Sequence, residues 1–397
     1  MNLKEEVQKL AQKFAPQVVA HRRHLHMHPE LSFDEKETAA YVAKILTEAK
    51  IEFTSNRGGH GIVAHIGSRD SARCTALRAD MDALPIQETN EVAYKSQNEG
   101  VMHACGHDVH TSSLIGTALI LKQLEAHLNG RVRLIFQPAE ELLPGGASLM
   151  IADGVLEEKP IPTAIFGQHV HPPLAAGKVG IRAGVYMASA DELYVKVKGK
   201  GGHAALPRDF IDPIAISAQI ITALQTIVSR NAPPTVPTVL SFGKINSTGG
   251  ATNIIPDEVK MEGTFRTLDE EWRFEAHELM VRSASKIAEG LGGSCDFEVR
   301  KGYPYLLNDI ELSNRFKAHA VEYLGSEQVV DLPVRMTAED FAYYSHAMPA
   351  CFYRLGTNNA AGGKSSPVHT PTFDVDESCL EVGMGMMAWV AMRELDR

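Results

Sequence analysis

The residues His103-Ala104-Cys105-Gly106-His107-Asp108-Val109-His110 put three histidines, one thiol and one carboxylate into eight positions. All of these are ligand types for a borderline-soft divalent metal. Cys105 and His107 stand two apart, so in an extended or loop segment both side chains leave the same face of the backbone and can reach one ion. Gly106 lets the chain bend between them. The apolar run Leu114, Ile115, Ala118, Leu119, Leu121 and Leu124 follows at helical spacing, which predicts a ligand-bearing loop that feeds a buried helix. Taken alone, the octet also fits a histidine-rich helix entry with Cys105 as a small buried hydrophobe.

A dinuclear centre needs donors from several loops and a general base nearby. Cys105, His107, Glu141, His169 and His369 can supply the donors, and Glu140 is left over. Adjacent glutamates make sense if one binds metal while the other takes a proton from water and returns it to a leaving amine. The chemistry is then hydrolysis of an amide by a metal-activated water, without a covalent intermediate. Asp82 and Asp108 suit a supporting role, accepting the distal N–H of a ligating histidine, or plain turn capping.

Such donors need a frame that brings distant segments together. Residues 3 to 28 read as an amphipathic helix closed by His28-Pro29, and Glu37 to Ala49 as a second. His21, His24, His26 and His28 fit a basic last helical turn better than a metal site. Three apolar strands then run straight into polar residues: Cys74–Arg78 into Asp80-Met81-Asp82, Arg131–Phe136 into Gln137 to Glu141, and Thr163–Phe166 into Gly167 to His171. Strand and helix alternate as in an α/β sheet, whose sites lie beyond the carboxyl ends of the strands.

Near Gly184 the pattern changes. Strands over 192–198, 235–245, 258–266 and 295–300 and helices over 213–229 and 269–291 follow in the order β-α-β-β-α-β, a split βαβ sandwich that can fold as an inserted unit. The expected domains are therefore 1–185 with 302–397, discontinuous, and 186–301. Within the insert, Gly199 to Ala205 lacks the GK[ST] ending of a phosphate loop and presents His203 at a glycine-rich tip. Asn253 and Arg266 could offer an amide and a guanidinium to a substrate carboxylate.

The chain of 397 residues, 44% hydrophobic, can bury a large core, and its formal charge of -10 argues against nucleic acid and anionic membranes as partners. Five scattered cysteines without a CxxC pair argue against a disulfide framework. No apolar run is long enough to span a bilayer, and the polar start lacks the core of a signal peptide, so a cytoplasmic protein is expected.

The motifs Leu25 to Leu31, Arg78 to Pro85, His103 to His110, Gln137 to Glu141, Gly199 to His203, Thr252 to Pro256, Glu339-Asp340-Phe341 and His369 to Phe373 span nearly the whole chain in order. Together they resemble the M20 family of metallopeptidases, and within it the aminoacylase-like amidohydrolases that include hippurate hydrolases and plant auxin-conjugate hydrolases. The resemblance implies a phosphorylase/hydrolase-like α/β catalytic domain with helices on both faces of a mixed sheet, plus an inserted α+β ferredoxin-like (βαββαβ) dimerisation or lid domain. It implies two divalent metal ions per subunit (Zn, Mn, Co or Ni) on Cys105, His107, Glu141, His169 and His369, with Glu140 as general base. It further implies a homodimer or higher homo-oligomer formed through 186–301, His203 polarising the substrate carbonyl in cis or in trans, and Asn253 and Arg266 holding the carboxylate of an N-acyl amino acid. Two departures stand out: Met336-Thr337-Ala338 where Gly-Ser is expected, and the long loop from Gly356 to Pro367. The competing expectations are an N-acetyl-diaminopimelate deacetylase or dipeptidase of the same family, a thiol hydrolase using Cys105 and His107, and a non-catalytic metal-binding protein.

Overall fold

The structure is a computed structural model that describes residues 2–359 and 366–397. The central part of the expected long loop, 360–365, lies outside the described residues. The chain divides into two compact units: Met1–Tyr186 with Leu307–Val334 and Asp340–Arg397, and Met187–Leu306 with Arg335–Glu339. Among the described residues, no helix is long and apolar enough to cross a membrane.

In chain order the first unit begins with α1 (Leu3–Met27), α2 (Lys36–Glu48), β1 (Glu52–Arg57), β2 (Gly61–Gly67), β3 (Cys74–Asp80), α3 (His107–Gln123), β4 (Arg131–Gln137), α4 (Gly146–Ala152), β5 (Ile165–Ala175) and β6 (Val179–Ile181), with β7 (Gly184–Met187) at its exit. The second holds β8 (Asp191–Lys198), β9 (Gly202–His203), α5 (Pro213–Thr226), β10 (Thr238–Ser247), β11 (Ile254–Ile255), β12 (Glu258–Thr267), α6 (Glu270–Gly290) and β13 (Ser294–Lys301). After β14 (Leu306–Asn308), α7 (Ile310–Leu324), β15 (Val329–Asp331), α8 (Ala342–Ala347), β16 (Ala350–Asn358) and α9 (Cys379–Leu395) complete the first unit.

The large sheet is mixed, in the order β1-β2-β4-β3-β5-β16-β6-β15. Its centre is parallel, β4 to β3, β3 to β5 and β5 to β16, whereas β1, β2 and the β6–β16 pair are antiparallel. Every residue of β3 and of β4 is buried. A strand buried at consecutive positions has both faces of its sheet covered, and here the buried positions include Arg78, Asp80, Arg133 and Gln137. Helices α1, α3 and α9 pack on one another. At their crossing Gly116 is needed: a Cβ there would lie 2.6 Å from the Met384 sulfur and 2.8 Å from Val18 Cγ2. The core joins Val7 and Val18 of α1 to Leu114 and Leu121 of α3 and Met384 and Met387 of α9.

The parallel register sets Asp80 beside Gln137 at one end of β3 and β4. The polar residues after each strand therefore start from one edge of the sheet. One boundary differs from expectation. The strand expected to stop at Phe166 runs on to Ala175, because β16 continues to pair with it from Ile165 to Ala175. His169 and His171 thus sit inside a strand rather than after one.

The second unit has a four-stranded antiparallel sheet in the order β10-β12-β8-β13, with α5 and α6 as its helices. This is the βαββαβ arrangement expected from the sequence. Asp212 caps α5 by accepting from the Ile214 and Ala215 N–H groups, with Pro213 as the first helical residue. Asp269 caps α6 through the Trp272 N–H. The alternating burial of β8 turns Leu193, Val195 and Val197 into this unit's own core.

Candidate metal centre

Cys105 and His107 flank Gly106, whose φ of 82° and ψ of 21° place it in the left-handed region just before α3. A Cβ at Gly106 would also meet Val170 Cγ2 at 2.6 Å, so both conformation and space call for glycine. His107 becomes the first residue of α3, and the Cys105 side chain stays in the preceding loop. The turn after β4 carries Glu140 and Glu141. Within it Ala139 takes a φ of 49°, an unfavourable conformation for a residue with a Cβ. The turn is held from outside: Glu35 Oε1 accepts the Ala139 N–H at 2.7 Å and Asp82 Oδ2 accepts the Glu141 N–H at 3.0 Å. His369 also has a positive φ, 62°, and its N–H donates to Ala104 O at 2.7 Å, which ties it beside Cys105. Strained backbone held by surrounding bonds is a common mark of a functional site.

The side chains converge. Cys105 Sγ lies 3.4 Å from His169 Nε2 and 3.3 Å from His369 Nε2. Glu141 Oε1 is 3.2 Å from His369 Nε2 and 3.9 Å from His107 Nε2. Three donor groups overlap here: Cys105 with His107 and His169, Cys105 with Glu141 and His369, and His107 with Glu140 and Glu141, the ligand atoms of each lying within 4.8 Å of one another. Cys105 is shared by the first two.

The tautomers fit a metal. His107 Nδ1 faces Asp82 Oδ1 at 3.1 Å, and its Nε2 is buried without a hydrogen bond. His169 gives its Nδ1–H to Val170 O at 2.8 Å, which leaves the Nε2 lone pair pointing at Cys105. Both rings are thus set to offer Nε2 to a cation. The electrostatics agree. Burial, then Glu141 and Glu140, push the Cys105 thiol well above its usual range. Burial works against a charged His107, yet Asp80, Asp82 and Glu141 push it up to about 10. The carboxylates of Asp80, Asp82, Glu140 and Glu141 act on these buried groups, and divalent cations compensate negative charge of this kind. The residues present therefore fit a metal pair.

Seven residues singled out from the sequence meet here: Cys105, His107, Glu140, Glu141, His169, His369 and Asp82. Asp108 is a correction. It was expected to accept from a ligating histidine, but its Oδ2 takes Arg22 Nε and His26 Nδ1, both at 2.8 Å. As the second residue of α3 it points toward α1, where Arg22 and His26 lie. Among the described residues no metal-competent group includes His21, His24, His26 or His28. The helix does end there, with the His28 N–H closing on His24 O and Leu25 O. His203, Asn253 and Arg266 belong to the second unit. His203 and Asn253 are neighbours, since β9 pairs with β11 and the Ala204 N–H donates to Asn253 O at 3.0 Å. Arg266 stands apart on β12, half-buried, with Nη1 donating to Met336 O at 3.2 Å. That carbonyl belongs to the segment where the sequence departs from Gly-Ser.

Sequence reasoning missed several supports. Asp80 Oδ1 takes His110 Nδ1–H at 2.5 Å, and His110 Nε2 accepts the Val170 N–H at 2.9 Å, so His110 steadies the strand next to His169 with both nitrogens engaged. The Asp-x-Asp pattern of Asp80 and Asp82 on an emerging strand was the available signal. For Glu35, buried and, by that burial and by Asp82, pushed up to about 7, no signal existed.

A covered mixed sheet whose strand ends gather a thiol, three imidazoles and a glutamate pair into overlapping donor groups defines a metal-dependent hydrolase. Residues 76–393 match Peptidase family M20/M25/M40, and the chain belongs to that family. It is 41% identical over 387 residues to the N-acetylcysteine deacetylase of Bacillus subtilis, covering 96% of this chain and 98% of that protein. It is 44% identical over 305 residues to the N-acyl-L-amino acid amidohydrolase of Geobacillus stearothermophilus, covering 77% and 81% of the two. Among solved structures, a dinuclear metal-binding peptidase of the M20 family from Bacillus subtilis superposes with a TM-score of 0.82 at 38% identity, covering 97% of this chain and 99% of that one.

Proposed function

We propose that the chain is a two-metal amidohydrolase that splits N-acyl amino acids into a carboxylic acid and a free amino acid. The carrying observation is the unequal use of two adjacent glutamates. Glu141 joins Cys105 and His369 in one donor group, whereas Glu140 shares groups with His107 and Glu141 and with Glu339 and Asp340 but none with Cys105. Cys105, His107, Glu141, His169 and His369 would hold two divalent ions. Such ions lower the pKa of a water toward neutrality and polarise a carbonyl. Glu140 accepts the proton from water and passes it to the leaving nitrogen. The Asp340 N–H, 3.3 Å from Glu140 Oε1, restrains the carboxylate while it does so.

The acyl amino acid class comes from the deacetylase and amidohydrolase relatives, with His203 set against the substrate carbonyl and Asn253 and Arg266 against its carboxylate. The second unit, 186–301 by sequence, serves as dimerisation and lid domain. The geometry disfavours Cys105 as a nucleophile with His107 as its base: the sulfur faces His169 and His369, and two Nε2 atoms at about equal distance suit a shared ligand better than a proton-relay pair.

The test is turnover of a panel of N-acetyl and N-benzoyl amino acids and N-acetyl-diaminopimelate by metal-loaded wild type and E140Q. Wild type is expected to cleave one group, and E140Q to keep its metal while losing about 10²–10⁴-fold in kcat. Undiminished activity in E140Q removes Glu140 as base. Full metal occupancy with no turnover of any substrate returns the chain to a binding role.

A further inference from the structure

Arg78 is wholly buried near the end of β3. Its Nη1 donates to Asp80 Oδ2 at 2.6 Å, Nη2 to Asp340 Oδ1 at 2.7 Å and Nε to Gln137 Oε1 at 2.8 Å. Gln137 turns its own amide back onto Asp340, at 2.9 Å and 2.7 Å from the two carboxylate oxygens. Asp340 Oδ2 also accepts the Ala147 N–H at 2.9 Å.

From these two carboxylates the hydrogen bonds run in two directions. On one side the backbone N–H of Asp340 reaches Glu140 Oε1. On the other, Asp80 holds His110, His110 holds the Val170 N–H, and Val170 O holds the Nδ1–H of His169. One guanidinium thus joins the chain of bonds that restrains Glu140 to the chain that fixes the tautomer of a donor histidine.

We propose that Arg78, clamped between Asp80 and Asp340, is a positioning residue that sets the Glu140 carboxylate relative to the metal donors. The inference rests on Glu140 being the general base. A buried cation between two buried carboxylates is a poor way to gain stability, since apolar residues of similar volume do as well or better. What the ionic arrangement adds is direction. A planar fork with donors on three sides holds two carboxylates and an amide in one relative geometry, which the single point charge of lysine does not. The gain is in rate, because a displacement of about 1 Å in a reacting group costs on the order of 10²-fold.

The experiment compares holoenzyme wild type, R78K and D340N on the best substrate of the panel, measuring kcat, KM, bound metal and melting temperature. Both variants are expected to lose about 10- to 100-fold in kcat, with KM and metal content close to wild type. D340N keeps Arg78 in place and decides the matter if R78K does not fold. Wild-type kcat in either folded variant overturns the proposal. So does a loss of rate that follows a rise in KM or a loss of bound metal, or that excess metal fully restores. Failure of the underlying reading is separate and appears first, as an E140Q enzyme that is as active as wild type.

Discussion

At the scale of single residues, the site depends on where protons sit. Asp82 serves twice, facing His107 Nδ1 and accepting the Glu141 N–H, and it also takes the Ser32 hydroxyl at 2.6 Å. Asp82→Ala should weaken metal binding about 10- to 100-fold, because the ring of His107 loses its orienting acceptor and the glutamate turn loses an anchor. Competition with a chromophoric chelator measures this, and an unchanged metal affinity would show that the Nδ1 contact does not matter. The side chains that converge were legible in the sequence because metal-competent residue types are concentrated there in short motifs. The surroundings of Asp108 were not, since its neighbours in sequence are metal-competent while its neighbours in space are Arg22 and His26.

Elements carry the next layer of specificity. Gly106 adopts a left-handed conformation, and a Cβ there would lie 2.6 Å from Val170 Cγ2. Gly106→Ala should therefore cost about 2 kcal/mol or more, from conformational strain plus the clash, and should lower metal occupancy. A melting temperature and metal content equal to wild type would contradict this. Farther from the site, α7 and α9 are tied by Arg315, whose Nη2 lies 3.0 Å from Glu394 Oε2. Burial pushes Glu394 upward, but His319 and Arg315 bring it down to about 2. A carboxyl with a depressed folded pKa stabilises above its unfolded pKa and loses that contribution as pH falls through the folded one. The difference in unfolding free energy between wild type and Glu394→Gln should be on the order of 2 kcal/mol near pH 6 and shrink as pH falls from about 4.5 to 2. Urea titrations across that range measure it, and a constant difference would show that the ion pair is not its source.

For the whole molecule, the two units have separate cores, and each contains one of the two tryptophans, Trp389 in the first and Trp272 in the second. Cys105, His107, Glu141, His169 and His369, the proposed metal donors, all lie in the first unit. A ligand bound only to folded protein stabilises what binds it, by about 2.7 kcal/mol at a hundredfold excess over its Kd. Chelation should therefore lower the unfolding midpoint reported by Trp389 in a Trp272→Phe protein more than the midpoint reported by Trp272 in a Trp389→Phe protein. Equal shifts would mean that the units unfold as one. The sequence alone determined the alternation of strands and helices, the βαββαβ insert and the set of metal-competent side chains that the fold brings together, because periodicity and local motifs record short-range geometry and chemistry. Only the tertiary structure decided that β5 extends past His169, that Asp108 turns toward α1, and that Arg78 links Asp80 to Asp340. Each of these depends on a partner far along the chain, whether a neighbouring strand, a crossing helix or a buried opposite charge, and residue type and spacing carry no record of which distant partner will be met.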